Sequence, residues 1–116
     1  LFLNNKINKY YIANTNSLFN KSSGLLNNTN AENKNLKLLF RRIYLNISTN
    51  TYLIKLLTGK KHQIRLQFFL NNNPIIGDKK FTSKSKFDLQ LSSVSLNFIY
   101  DEKFYKFKLS LNQIFQ

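Results

Sequence analysis

The chain has 116 residues, with 18 Lys and Arg against five Asp and Glu, and a formal net charge of +13. It is long enough for one small core and not two. It has no cysteine and one histidine, which excludes disulfides, thiolate metal sites and cysteine nucleophiles and leaves too few ligands for a histidine-rich metal site.

At 42% hydrophobic and 15% aromatic, the sequence is too apolar for a disordered basic tail. No run approaches the ~20 apolar residues of a membrane span. The opening Leu1-Phe2-Leu3 lacks both a methionine and the long apolar core of a signal peptide, and reads as a chain trimmed upstream. The charge points to polyanions, either nucleic acid or an anionic membrane surface; nucleic acid is expected, with no membrane partner. Lysines outnumber arginines 15 to 3, and asparagine reaches 18. That usage also fits A/T-rich codons, but codon drift alone does not leave so few acids.

In chain order, residues 7–13 read as a strand with Ile7, Lys9, Tyr11 and Ala13 on one face. Residues 14–35 are Asn-rich and nearly aperiodic, which predicts a loop or insertion inside the domain. Order resumes at Leu36. Ile43, Leu45 and Ile47 alternate with Arg42, Tyr44 and Asn46, and after a turn at Ser48-Thr49-Asn50 so do Tyr52, Ile54 and Leu56 with Thr51, Leu53 and Lys55, predicting an antiparallel hairpin.

Thr58-Gly59 breaks the second strand. A helix is predicted from Lys60 to about Asn71, with Thr58 near its N-cap and Pro74 beyond its end. Gly59 and Gly77 are expected where a Cβ is disfavoured. Val94 to Tyr100 and Tyr105 to Leu111 alternate around Asp101-Glu102-Lys103 as a final strand pair. The predicted class is α+β: a mixed, mostly antiparallel sheet with one central helix.

The chemistry-bearing stretch is Leu57-Thr58-Gly59-Lys60-Lys61-His62-Gln63-Ile64-Arg65, followed by Asn73-Pro74-Ile75-Ile76-Gly77-Asp78. It resembles the signature of the RluA-type family of RNA pseudouridine synthases, Leu-x-Thr-Gly-Arg-x-His-Gln-Ile-Arg and then His-Pro-Ile-x-Gly-Asp. Lys9-Tyr10-Tyr11-Ile12-Ala13 is similar to the family's Lys-x-Tyr-x-Ala strand. The run from Leu91 to Phe98 is similar to its Leu-His-Ala-x-x-Leu-x-Phe strand. Lys60 replaces an arginine, and Asn73 and Ser92 replace histidines.

The resemblance implies that residues 1–116 form the C-terminal part of a pseudouridine synthase-like catalytic domain. It implies uridine isomerisation in ribosomal or transfer RNA by a carboxylate nucleophile, with no metal or organic cofactor. The target base must leave its stack to be reached. Arg65 matches the arginine that pairs with the catalytic aspartate, and Tyr11 the tyrosine that stacks on the base. Read without the resemblance, Arg65 is a surface cation and Tyr11 a half-buried core aromatic.

Lys60, Lys61, His62, Gln63, Lys79 and Lys80 are candidate RNA contacts. His62 and Gln63 can equally be structural, and Asp78 is expected to tie down its own turn. The family's Arg-Leu-Asp motif, which carries the nucleophile, does not occur here. Arg65 is therefore expected to face an acid or phosphate that this chain does not supply. The partners implied are ribosomal RNA, ribosomal proteins, or an N-terminal half on another segment or chain. The alternative function is a non-catalytic RNA-binding subunit, such as a mitochondrial ribosomal protein derived from a synthase. The A/T-rich bias suits an organelle, an endosymbiont or an A/T-rich nuclear genome.

Overall fold

A computed structural model of the chain describes residues 10–44, 49–82 and 87–94. Its elements are β1 (Tyr10–Thr15), β2 (Ser23–Thr29), β3 (Asn35–Ile43), β4 (Asn50–Leu56), α1 (Gln63–Leu70) and β5 (Leu91–Val94). The strands form one sheet in the order β2-β3-β4-β1-β5, and every pairing is antiparallel. The α+β expectation holds among these residues.

Alternation decides which face of the sheet is covered. Ala13, Leu26, Leu38, Phe40, Tyr52 and Ile54 point to the α1 side and form a core with Ile64 and Phe68 of the helix and Ile75 beyond it. Phe19 enters the same core, its ring centroid 4.5 Å from Phe40 and 4.9 Å from both Tyr52 and Phe68. Tilted and edge-on pairs of this kind add about 0.5–1.5 kcal/mol each beyond simple burial. The opposite face carries a smaller cluster of Ile12, Ile43 and Val94, and there Leu25 and Leu39 stay exposed.

Three expectations about the elements need correction. Residues 14–35 are not a loop throughout, because β2 lies inside them and pairs with β3 from Ser23↔Arg41 to Thr29↔Asn35. The first strand of the predicted hairpin begins at Asn35, with Leu36, Leu38 and Phe40 as its inward set. Residues 45–48, including Leu45 and Ile47, lie outside the described residues, as do 95–116 with most of the final strand pair. Helix α1 starts three residues later than predicted, because His62 at its N-cap adopts a left-handed conformation at φ 55°. Thr58 is not the cap. Its hydroxyl instead accepts from the Lys37 N–H at 2.9 Å and donates to Gln63 Oε1 at 3.0 Å, fastening the end of β4 to β3 and to the helix start.

The glycine expectation divides. A Cβ on Gly59 would meet nothing within 4 Å, and Gly77 is the glycine with positive φ. Gly77 sits at φ 85° and a Cβ there would lie 2.0 Å from the Asp88 carbonyl oxygen, so no other residue fits.

Candidate active site

Four segments build the site. Strand β1 brings Tyr11, the end of β4 brings Leu56, the β4–α1 connection and first turn bring Lys60, His62 and Arg65, and the approach to β5 brings Leu89 and Leu91. These side chains, with Gln63 and Ile64, line a cavity of about 300 Å³. Tyr11 and Arg65, far apart in sequence, therefore share one wall-and-floor arrangement, with apolar leucines between basic groups. Tyr11 is half-buried and packs against the main core, which fixes its ring.

Arg65 does not wait for an outside acid. Its Nη2 donates to Asp78 Oδ1 at 2.8 Å and its Nε to the same oxygen at 3.2 Å. The expectation that this chain supplies no partner is thus overturned. Helix α1 ends at Leu70 with Asn71 as its C-cap and Asn72 at φ 62°, and the chain turns back through Ile75–Gly77, which delivers Asp78 beside the helix it has just left. Asp78 also does what its turn requires, since Oδ1 accepts from the Lys80 N–H at 3.1 Å and Thr82 Oγ1 donates to its carbonyl at 2.6 Å. Asp78 is fully buried, and its Oδ2 has no hydrogen-bond partner among the described residues. The Arg65 side chain is 20% exposed, so the guanidinium still reaches the cavity while one oxygen of Asp78 holds it. The return of Asp78 to Arg65 was the contact that sequence order hid. The visible signal was a short helix followed by proline and then Gly-Asp.

Gln63 is occupied by the fold. Its Nε2 donates to the Lys37 carbonyl and to Gln67 Oε1, and its Oε1 accepts from Thr58 Oγ1 and the Lys60 N–H. An amide has two donor hydrogens and two acceptor lone pairs, so none remains for RNA, against the expectation of an RNA contact.

His62 is exposed at the cavity mouth. Partial desolvation, then the cations of Arg65, Lys80 and Lys61, hold its pKa below the ordinary 6.5, against the opposing pull of Asp78. It is therefore neutral at pH 7. Lys61, Lys79 and Lys80 are exposed and do not line the cavity, whereas Lys60 does. Among the described residues no group of three or more His, Cys, Asp or Glu is placed to hold a metal ion, and no helix is long and apolar enough to cross a membrane.

No family model matches the chain. It is 34% identical over 99 residues to an uncharacterised RNA pseudouridine synthase of Mycoplasma capricolum subsp. capricolum, a match covering 74% of this chain and 33% of that protein. Sequence likeness points to the RNA pseudouridine synthases. The fold is that of two human structures. RNA pseudouridylate synthase domain containing 1 matches at a TM-score of 0.58 and 17% identity, over 79% of this chain and 49% of that one. RNA pseudouridylate synthase domain containing 4 matches at 0.56 and 18%, over 94% and 51%. The chain spans about a third of the length of the bacterial relative and about half of each human structure.

Proposed function

We propose that the chain is the C-terminal part of the catalytic domain of an RluA-type RNA pseudouridine synthase, isomerising uridine in ribosomal or transfer RNA. The observation that carries this reading is that Tyr11 and Arg65 line one cavity. In the reaction the glycosidic N1–C1′ bond breaks, the base turns, a C5–C1′ bond forms, and the proton on C5 is lost while N1 gains one. No net oxidant or reductant is needed. The nucleophilic aspartate comes from an N-terminal half beyond these residues. Arg65, already anchored by Asp78, keeps that carboxylate ionised at neutral pH. Tyr11 presents its ring to the extruded uracil. Lys60, Lys61, Lys79 and Lys80 act as point charges for phosphates and carry little base information. His62 at the mouth adds a hydrogen-bonding group.

The test uses a protein carrying both halves and RNA labelled with tritium at C5 of uridine. Release of tritium to water reports C5–C1′ bond formation directly. Arg65→Ala and Tyr11→Leu, which removes the stacking ring, are each expected to lower the single-turnover rate by about a hundredfold or more, the range for groups that act on the reacting centre. Binding of RNA with no tritium release from the unaltered protein would leave the non-catalytic RNA-binding subunit as the function.

A further inference from the structure

Beside the cavity, on the outer side of Arg65, two phenylalanines make a second surface. Phe69 lies one helical turn after Arg65 on α1, and Phe81 follows the Gly77-Asp78 turn. Their rings are stacked, with centroids 5.6 Å apart and planes 24° from parallel. The Arg65 Cζ is 6.0 Å from the Phe81 centroid, and the Lys80 Nζ is 5.6 Å from it. Phe69 is 40% exposed and its neighbour Leu70 44%.

A stacked aromatic pair with two cations against one ring, Phe81, and the other ring, Phe69, exposed differs from a core aromatic that merely lacks cover. The cations are attracted to the ring face and also give the patch the charge that phosphate seeks. The position matters as well. Drawing a base out of its stack deprives the adjacent base of a neighbour, at a cost of a few kcal/mol. An open aromatic ring next to Arg65 restores that contact.

We propose that Phe69 and Phe81 form a stacking platform for the unpaired nucleobase adjacent to the one that enters the Arg65 cavity, with Lys80 on its phosphate. The proposal rests on the reading of this protein as one that acts on RNA. It assigns a second nucleotide subsite outside the cavity, sequence-tolerant because every base has a π-face.

The experiment uses a protein carrying both halves of the domain and a single-stranded RNA carrying one 2-aminopurine beside the uridine. The unaltered protein is expected to quench or shift the 2-aminopurine fluorescence on binding. Phe69→Ala is expected to abolish that change and weaken the dissociation constant about five- to one-hundredfold, the range for losing one stacked base. Phe69→Trp should restore both. Phe69→Leu, which keeps the apolar bulk and guards against a folding defect, should behave like Phe69→Ala. Lys80→Ala should lower the log–log salt slope by about one while leaving the fluorescence change in place. An unaltered protein that binds RNA, with Phe69→Ala binding equally well, overturns the platform and leaves the RNA reading intact. Loss of self-association in Phe69→Ala at unchanged RNA affinity overturns it in favour of a contact between protein chains. An unaltered protein that does not bind RNA overturns both.

Discussion

Gly77 and Asp88 occupy space that admits no side chain between them, since a Cβ on Gly77 would lie 2.0 Å from the Asp88 carbonyl oxygen. The contact packs the segment entering β5 onto the turn that presents Asp78. Gly77 also sits at φ 85°, where an L-residue pays about 1–2 kcal/mol before any clash. Gly77→Ala is expected to lose more than about 2 kcal/mol in urea denaturation. An alanine variant as stable as the parent would mean that the Asp88 segment runs elsewhere.

The Arg65–Asp78 pair predicts an asymmetry. Removing one partner of a buried pair costs about 3–5 kcal/mol because the other charge is left uncompensated. Here the two partners are not equally buried: Arg65 is 20% exposed and Asp78 not at all. Arg65 can turn towards water when alone, and Asp78 cannot. Arg65→Ala should therefore destabilise the protein more than Asp78→Asn, by at least about 1 kcal/mol in urea denaturation at neutral pH. The reverse order would place Asp78 in water.

Gln67 is a further fixed point. It is fully buried, and its Nε2 lies within hydrogen-bond reach of the Leu26 carbonyl, the Leu36 carbonyl and Asn28 Oδ1. Gln67→Leu strips donors from buried carbonyls, at about 1–3 kcal/mol for each group left unsatisfied. Gln67→Glu should be worse, because a carboxylate facing two carbonyls offers no donor and carries a buried charge. Thermal unfolding of the two variants, ranked against the parent, checks the order.

His62 supplies a pH dependence. Its protonated form is disfavoured in the free protein by desolvation and then by Arg65, Lys80 and Lys61, so its folded pKa lies below 6.5. A lowered pKa in a base means that acidification works against the folded state as pH falls through the unfolded value. Phosphates brought near these cations reverse the balance, so binding RNA takes up a proton and affinity should rise as pH falls from 7 towards 5. An imidazole resonance followed by NMR should titrate below 6.5 without RNA and higher with it. His62→Asn should flatten the pH dependence of binding.

The readable parts of the sequence were those where alternation and chemistry coincided. Tyr52, Ile54 and Leu56 fall at every second position after the Ser48-Thr49-Asn50 turn, and β4 lies where they place it. The run from Gly59 to Asp78 was legible as a site, because no composition effect produces that order of residues. β2 was hidden because Ser23–Thr29 buries only Leu26. Its residues have weak strand preference, and backbone pairing along β3 makes the strand. The register of β3 was obscured because its inward set, Leu36, Leu38 and Phe40, is out of phase with Ile43, which packs on the opposite face. The Arg65–Asp78 contact depended on how the chain returns after Pro74, which no local pattern encodes.

The sheet order sets the sequence of assembly during synthesis. β2, β3 and β4 are neighbours both in the chain and in the sheet, so they can zip together as they emerge. β1 is made first, yet it lies between β4 and β5, and Tyr11 pairs with Ile54 on one side and Ser93 on the other. Such distant partners close slowly. The strand that carries Tyr11 is therefore left with an open edge until Leu91–Val94 has been made. A chain cut after residue 82 would keep Asp78 in reach of Arg65 and leave Tyr11 without its partner Ser93 on one side.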